Sequence, residues 1–302
     1  MVVCLNGEFL PEEQARVSVL DRGFLYGDGL FETLRVSRAV PFRWLDHVER
    51  LRQGAALLAI RLPWVNDELR ALATKLIDVN QAHESVLRIS ISRGIGPRGY
   101  SPNGADSPTL AMTVHPAPAL DPMRPIQWRL HTARFRVLAD DPLARAKSAN
   151  KLVQVLARAE ADAHRADEAL LLNTRGEITE GTASNVFWIE SGRTCTIPLS
   201  CGALPGVTRK VVLEECEARR WSVAEKVISV ETLARAEGVF LTTTTLGVVE
   251  AIALDGRELN RCSQVTELHC IYQRLVASSL QDQPSHPGQS PCASTRDSTD
   301  GP

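Results

Sequence analysis

Four prolines stand within ten residues near the middle of the chain, at positions 116, 118, 122 and 125. Proline fixes its own φ and has no N–H to donate, so this stretch cannot continue a regular helix or sheet. On both sides of it, segments with helical periodicity alternate with segments typical of strands. We therefore predict two α+β domains, at 1–117 and 127–280, joined by a linker at 118–126. Residues 281–302 lack apolar content, which predicts a disordered tail.

The composition excludes several classes of protein. The 302 residues carry a net charge of −2, so no bulk field attracts nucleic acid or an anionic membrane. No apolar run approaches the roughly 18 residues of a membrane-spanning helix, and the N-terminus does not resemble a secretory signal. The seven cysteines are scattered, without metal-ligand spacing, as expected for reduced thiols. We expect a cytoplasmic protein without a metal site, a nucleic-acid partner or a membrane partner.

Hydrophobic periodicity gives a coarse order of elements. Asn6-Gly7 between two short apolar runs predicts a hairpin of Val2–Leu5 and Glu8–Leu10. Helices are expected at His47–Leu62, Asp67–Val79, Lys147–His164, Val207–Ala218 and Val265–Ser279. Further strands are expected at Ser85–Ser92, Thr109–Val114, Gln127–Ala133, Ala169–Leu172, Ser184–Ile189 and Val239–Thr243.

Six segments, in this order, carry a specific signal: YGDGLFETLRV, HVERL, RAKSANKLVQVLARAEA, ADEALLLNTRGEITEGTASNVFW, GALPGVTR and FLTTTTLGVVEAIALDG. Together they resemble the fold-type IV enzymes that use pyridoxal 5′-phosphate (PLP), over about Leu5 to Gly256. That family includes branched-chain and D-amino-acid aminotransferases and aminodeoxychorismate lyase. The resemblance implies a two-domain α+β fold with mixed sheets and flanking helices. It also implies PLP as the cofactor and a homodimer, with each pocket between two domains and completed by a loop of the partner.

Lys147, in the RAKSAN segment, matches the family lysine that forms the Schiff base with PLP. A lysine in a dry pocket or near other cations can lose its proton and attack an aldehyde. Lys151 lies four residues further on and is the rival for that role. It is similar to a basic residue of the lyase relatives, so we interpret it as structural or peripheral.

Glu180, in the EITEGTASN segment, matches the glutamate that pairs with the pyridine nitrogen of PLP. A carboxylate in that place keeps the nitrogen protonated and makes the ring a better electron sink. Glu177 is the alternative carboxylate and is expected to face solvent. Asn185, on the following strand, is expected to help orient the site.

The phosphate group of PLP needs fixed positive charge and backbone N–H groups. Arg50, in HVERL, matches the family arginine that binds it, and its planar guanidinium suits phosphate. Val207 and Thr208 precede an apolar helix pattern, and a helix start presents free N–H groups to an anion. Thr208 could equally be only an N-cap. Thr244 and Thr245, late in an expected strand, match the second part of the phosphate site.

Five further residues match positions that line or border the substrate pocket of the family: Tyr26, Phe31, Arg35, Arg98 and Tyr100. The SRGIGPRGYSPN loop resembles the lyase subgroup, since D-amino-acid enzymes tend to have Arg-x-His where this chain has Arg98-Gly99-Tyr100. No tyrosine follows Asn150, unlike in branched-chain enzymes. The resemblance therefore favours aminodeoxychorismate lyase, with Arg98 and, less directly, Arg35 holding a substrate carboxylate. This enzyme converts 4-amino-4-deoxychorismate to 4-aminobenzoate and pyruvate, a step towards folate.

Two alternatives stay open. A class IV aminotransferase acting on branched-chain or D-amino acids with 2-oxoglutarate would share the cofactor site. A relative of the same fold that binds a metabolite without turnover would be expected to lack the lysine or the glutamate. Both residue types are present here, at Lys147 and Glu180.

Overall fold

A computed structural model describes residues 1–278. The expected disordered tail at 281–302 lies outside the described residues. Among residues 1–278, no helix has both the length and the apolar character needed to cross a membrane.

The chain before the Pro-rich stretch forms one antiparallel sheet of six strands. They are β1 (Val2–Leu5), β2 (Glu8–Pro11), β3 (Gly29–Ser37), β4 (Val40–Pro41), β5 (Ser85–Ser92) and β6 (Thr109–Pro116). Their order across the sheet is β2-β1-β6-β5-β3-β4. The expected N-terminal hairpin is confirmed, because Leu5 pairs with Glu8 across a turn whose two residues both have positive φ.

Three helices accompany this sheet: α1 (Arg22–Tyr26), α2 (Trp44–Leu57) and α3 (Asn66–Val79). Helix α3 buries Leu69, Ala73, Leu76 and Ile77, which share one face at helical spacing. These side chains join a core that also contains the inward residues of β3, β5 and β6. The opposite face of β3 and β5 is left free to line a cavity.

The chain after the Pro-rich stretch forms a second, mixed sheet. Its strands are β7 (Gln127–Val137), β8 (Glu168–Asn173), β9 (Ile178–Gly181), β10 (Asn185–Glu190), β11 (Arg193–Thr196), β12 (Val223–Glu225), β13 (Gly238–Thr243), β14 (Gly247–Leu254) and β15 (Arg257–Glu258). Their order is β12-β11-β10-β13-β14-β7-β8-β9, with β15 paired to β14. The β11–β12, β14–β7 and β7–β8 pairs are parallel, and the other pairs are antiparallel.

Four helices belong to this second part: α4 (Leu152–Ala163), α5 (Val207–Ala218), α6 (Val230–Leu233) and α7 (Ser263–Ser278). The expectation that α4 begins at Lys147 is wrong, because the preceding residues pair with β3. Phe31 N donates to Lys147 O over 3.0 Å, and Ala149 N donates to Gly29 O over 2.8 Å. A backbone held beside a strand in this way cannot close helical turns, so α4 begins five residues later.

The two halves of the chain interlock. Ala146, from the second half, packs into the core of the first sheet, and Phe42, from the first half, packs into a core of the second. The segment 117–126 connects the two sheets, while the exact domain bounds stay a prediction. A cleft between the sheets is therefore walled by both halves of the chain.

Candidate active site

A cavity of about 420 Å³ lies between the two sheets, within the size range of small-molecule sites. The first sheet contributes Phe31, Thr33, Arg88 and, from α2, Arg50 to its wall. The second half contributes the remaining residues, which are Trp128, Lys147, Lys151, Gln154, Glu180, Thr182, Ala183, Ser184, Asn185, Leu204, Gly206, Val207, Thr208, Thr242, Thr243, Thr244, Thr245 and Leu246. Residues from six separate segments singled out by the sequence thus meet in one place.

Lys147 projects its amine into this cavity from the extended segment beside β3. Its Nζ lies 4.7 Å from the centroid of the Phe31 ring. Burial, followed by the positive charge of Arg50, lowers the pKa of Lys147 from 10.5 to about 8. About a tenth of this amine is therefore unprotonated at pH 7, far more than for an ordinary lysine, and can act as a nucleophile or base.

Lys151 lines the same cavity, at the residue that precedes α4. Burial lowers its pKa, and the Glu180 carboxylate opposes that shift. Lys151 was expected to be structural or peripheral; it lines the same space as Lys147, so a structural role stays open and a position remote from the site does not.

Glu180, at the end of β9, is the single carboxylate among the residues that line the cavity. Burial raises its pKa, while the Leu204 N–H, donated to Oε2 over 2.8 Å, and the nearby lysines counter that effect. Its second oxygen has no hydrogen bond within residues 1–278. Glu177, by contrast, pairs with Asn173 and Arg175 beyond the cavity wall, as expected for the alternative carboxylate.

Arg50 is held rigidly by a buried network. Its Nε and Nη2 donate to the two oxygens of Glu32 over 2.8 and 2.7 Å, and its Nη1 donates to Pro205 O over 3.0 Å. His47 Nδ1 lies 2.7 Å from the same carboxylate. Burial would raise the pKa of Glu32, but Arg50 and His47 hold it at about 2. Glu32 thus stays ionised and fixes the guanidinium at the cavity wall.

Helix α5 points its N-terminus at the cavity, with Gly206 as the N-cap and Val207 and Thr208 in the first turn. The alternative role of Thr208 as the N-cap is therefore wrong. Asn185 Nδ2 donates to Leu204 O over 2.9 Å and holds the approach to the helix. An added Cβ at Gly206 would lie 1.9 Å from Asn185 Oδ1, so a larger residue there would displace the Asn185 side chain or the start of α5. The free N–H groups of this helix start favour an anion.

Thr244 and Thr245 lie in the turn that follows β13, rather than within the strand as expected, and both line the cavity. Thr242, on the strand itself, has a buried hydroxyl oxygen without a hydrogen-bond partner in the described part of the chain. A buried hydroxyl of this kind is unfavourable unless a ligand satisfies it.

Arg88 is a cavity residue that the sequence reasoning did not identify. It stands on β5 opposite Thr33 of β3, and its Cζ lies 4.0 Å from the Phe31 ring centroid. No carboxylate within residues 1–278 pairs with it, since its one side-chain hydrogen bond runs to Ser90 Oγ over 3.2 Å. The sequence does contain a signal for this residue, because Arg88 is the single charged residue in the alternating pattern of β5.

Of the five expected substrate-pocket residues, only Phe31 lines the cavity within one chain. Tyr26 and Tyr100 contact each other outside it, with ring centroids 5.5 Å apart, and Arg98 is exposed. Arg22 binds this loop by donating to the carbonyl oxygens of Gly99, Tyr100 and Ser101, which turns the Arg98 and Tyr100 side chains outward.

Arg35 is the fifth of these residues, and it also lies outside the cavity. It donates to Pro118 O and Thr245 O and pairs with Glu84. These contacts hold the guanidinium behind the wall, and the expected role of Arg35 in holding a substrate stays a prediction.

Residues 29–253 match the family model for amino-transferase class IV. The chain belongs to the amino-transferase class IV family. Members of this family depend on PLP, so the resemblance noted in the sequence is confirmed at the level of family, fold and cofactor.

Relatives with different reactions resemble this chain. A putative branched-chain-amino-acid aminotransferase of Methanocaldococcus jannaschii is 35% identical over 89% of this chain and 92% of its own length. A D-alanine aminotransferase of Bacillus licheniformis is 30% identical over 86% and 90%, and an aminodeoxychorismate lyase of Vibrio harveyi is 30% identical over 81% and 90%. These relatives share the family but carry out different reactions, so the likeness alone does not decide which reaction this chain catalyses.

Solved structures agree with this assignment. The branched-chain aminotransferase of Thermoproteus uzoniensis, solved with norvaline, superposes with a TM-score of 0.86 at 28% identity, covering 93% of this chain and 96% of that one. A putative 4-amino-4-deoxychorismate lyase from Legionella pneumophila gives a TM-score of 0.81 at 27% identity, covering 87% and 97%.

The cavity fits PLP chemically. It offers two amines of lowered pKa, a carboxylate with a free oxygen, and a helix start beside a fixed guanidinium. The buried hydroxyl of Thr242 supplies a further group that a polar ligand would satisfy.

Proposed function

We propose that this protein is a PLP-dependent aminodeoxychorismate lyase, which forms 4-aminobenzoate and pyruvate. The observation that carries the proposal is Arg88, a cation on the cavity wall without a carboxylate partner in residues 1–278, facing the space beside Lys147. Thr33 and Gln154 add further polar groups to the wall. A wall of this kind suits a substrate that carries carboxylates better than an aliphatic side chain.

The geometry of the cavity supports a role in holding the cofactor for several residues. Arg50 and the first N–H groups of α5, at Val207 and Thr208, would hold the phosphate, and Thr244 and Thr245 would border it. When bound, PLP supplies an electron sink for the pair released at the amine-bearing carbon of the substrate.

Lys147 is the residue proposed to bind PLP covalently. Because its pKa is about 8, its amine is available for that bond near neutral pH. After the substrate amine has displaced Lys147, the freed Lys147 amine would act as general base. It would take the proton from the amine-bearing carbon of the substrate. Breaking the adjacent bond between the ring carbon and the enolpyruvyl oxygen would then make the ring aromatic and release an enolate. The methylene carbon of this enolate would take up the proton that Lys147 removed, which gives pyruvate.

Glu180 would keep the ring nitrogen protonated through the oxygen that Leu204 leaves free. Arg88 would bind a substrate carboxylate, the role that the resemblance gave to Arg98 and Arg35. Each of these contacts is charge-assisted, and such hydrogen bonds are roughly twice as strong as neutral ones.

We also propose a homodimer. Apolar side chains are exposed on two faces of the single chain, which is typical of surfaces that associate. One face carries Phe24, Leu25 and Tyr100, and the other carries Leu152 and Val155 on α4. In such a dimer the outward-turned Arg98 loop could reach a neighbouring cavity. Analytical ultracentrifugation should give twice the monomer mass of 33.1 kDa.

An aminotransferase is the second candidate, favoured by the likeness to the M. jannaschii and T. uzoniensis proteins. It would use the same Lys147 to move a proton between the amino acid and the cofactor, with no elimination. Cavity residues outside the cofactor site would then set the amino-acid specificity.

The deciding experiment supplies 4-amino-4-deoxychorismate to the holoenzyme and measures 4-aminobenzoate and pyruvate in equal amounts. Borohydride reduction followed by peptide mapping should place PLP on Lys147 and not on Lys151. Rapid transamination of leucine or D-alanine with 2-oxoglutarate, without 4-aminobenzoate formation, would replace the lyase with the second candidate.

A further inference from the structure

Glu168, the first residue of β8, is a buried acidic residue that the proposed reaction does not use. It is 1% exposed, and no lysine, arginine or histidine within residues 1–278 forms an ion pair with it. A carboxylate without a cation is costly to bury unless hydrogen bonds satisfy its oxygens. Glu168 therefore depends on the donors that surround it.

The two oxygens of Glu168 accept five hydrogen bonds. One comes from the adjacent Ala169 N–H over 2.9 Å, and the other four come from a single turn, 181–184. The donors of the turn are Thr182 N at 3.1 Å, Thr182 Oγ1, Ala183 N at 3.3 Å and Ser184 Oγ at 3.0 Å. A backbone N–H can only donate and an ionised carboxylate only accepts, so this set of partners fits the ionised side chain.

The same turn forms part of the cavity wall, because Thr182, Ala183 and Ser184 all line the cavity. Gly181 N donates to Ser184 O over 2.7 Å and closes the turn. An added Cβ at Gly181 would lie 2.2 Å from Ser184 Oγ. The turn is thus tightly packed, with the carboxylate of Glu168 directly behind it.

The turn also connects two residues of the cavity. Glu180 lies in β9 just before it, and Asn185 begins β10 just after it. Burial raises the pKa of Glu180, and the charge of Glu168 adds to that rise. A change at Glu168 would therefore reach Glu180 through the position of the turn.

We propose that Glu168 is a positioning residue, which holds the 181–184 turn so that the Glu180 carboxylate faces the ring nitrogen of bound PLP. Glu168 does not line the cavity itself, so it acts through the turn. The inference rests on the proposed role of Glu180, and it holds for either a lyase or an aminotransferase. A misplacement of about 1 Å can lower a rate about 100-fold, so a residue behind the wall can control turnover.

The first test measures amide hydrogen exchange in the purified holoenzyme and does not depend on activity. E168Q keeps the size of the side chain, but its NH₂ group meets donors where the carboxylate accepts. The Thr182 and Ala183 N–H groups should therefore exchange about tenfold faster than in wild type. E250Q is the matched control, because Glu250 is also a buried carboxylate of the second sheet but binds Arg261 outside the cavity. It should leave exchange in the turn unchanged.

The second test is a double-mutant cycle on kcat, with the substrate that the deciding experiment identifies. E168Q alone should lower kcat about tenfold, and E250Q should not lower it. In the E180Q background, E168Q should lower kcat by less than about twofold, because the residue through which Glu168 acts is already lost. S184A removes one donor of the turn and should show the same pattern with a loss of about threefold, also if E168Q does not fold.

Two results on kcat would overturn the inference and leave the proposed function intact. They are a wild-type kcat in E168Q, and a loss that E168Q repeats in full in the E180Q background. Unchanged exchange in the turn of E168Q, together with a lower kcat, would exclude the positioning role as well. A wild-type kcat in E180Q would instead refute the proposed role of Glu180, and with it the inference.

Discussion

Lys147 Nζ lies 4.7 Å from the centroid of the Phe31 ring, on which the Arg88 guanidinium also rests at 4.0 Å. The amine proposed to react and the cation proposed to bind the substrate thus contact the same ring. Since a ring face attracts cations, Phe31 keeps both groups turned towards the cavity. The pKa of Lys147 near 8 therefore belongs to an amine that ligands can reach.

Lys147 should react at a lower pH than the surface lysines of the same chain. Its pKa is lowered to about 8, mainly by burial, so the neutral amine accumulates as the pH rises through 8. Lys210 is the internal control, because its hydrogen bond to Asp46 raises its pKa above the ordinary value. Acetic anhydride labelling of the apoenzyme from pH 6 to 11, followed by mass spectrometry, should give half-labelling of Lys147 near pH 8. A Lys147 midpoint at or above that of Lys210 would contradict this.

Glu32 should contribute stability that depends on pH. Its folded pKa of about 2 lies below the ordinary 4.5, so the contribution is complete above pH 4.5 and is lost as the pH falls towards 2. The shift corresponds to about 3 kcal/mol. Urea denaturation should therefore show E32Q to be less stable than wild type at pH 7, with the difference shrinking by pH 3. Glu49→Gln, on the exposed side of α2, should show no such difference at either pH.

Glu180 should matter for turnover and Glu177 should not. Replacing Glu180 by Gln removes the charge that stabilises a protonated ring, so kcat should fall about 100-fold. PLP content, measured by absorbance after alkaline release, should stay near one per chain. Glu177→Gln changes a carboxylate that binds Asn173 and Arg175, and should retain full activity. Equal losses in the two variants would exclude the assigned role of Glu180.

Gly206→Ala should weaken PLP binding through a defined clash. The added methyl group would lie 1.9 Å from Asn185 Oδ1, so the start of α5 or the Asn185 side chain must move. We expect the dissociation constant for PLP, from fluorescence titration of the apoenzyme, to rise about tenfold. Asn185→Ala should relieve the clash, so the double variant should bind PLP no more weakly than G206A. If the double variant bound PLP more weakly than G206A, the two residues would act independently.

Arg22 should keep the Arg98 loop closed to proteases. Its guanidinium is buried, pairs with Asp28 and donates to three successive carbonyl oxygens of the loop. Arg22→Met removes these three bonds to the loop while Asp28 keeps its pair with Arg93, so the loop should open without loss of the fold. Limited trypsin digestion should then cleave after Arg98 much faster than in wild type. Arg16→Met, an exposed arginine of the same N-terminal region, provides the control.

The sequence predicts several residues that meet in one cavity, but not the wall formed by the first sheet. Lys147, Glu180 and Arg50 were identified from motifs, and the fold brings all three to one cavity. Those motifs are short and local, whereas the substrate wall forms where the free face of β3 and β5 meets the second sheet. Arg88 was missed because the alternation in β5 shows which residues share a face, and not what covers that face.

The predicted start of α4 is wrong for a related reason. The helical periodicity begins at Leu152, whereas the predicted helix begins at Lys147. The residues between them hydrogen-bond to β3 in the other half of the chain. Pairing between residues over a hundred positions apart has no local signature. The same pairing is what carries Lys147 into the cleft.

One short loop, 203–206, contacts both the carboxylate of Glu180 and the proposed phosphate site. Its backbone donates to Glu180, accepts from Asn185 and Arg50, and leads directly into α5. A substitution that displaced it would disturb the proposed phosphate site and the carboxylate proposed for the ring nitrogen at the same time. Substitutions in the substrate wall can therefore arise without affecting residues 203–206. A change in these residues would alter the proposed binding of the cofactor and the proposed protonation of its ring together.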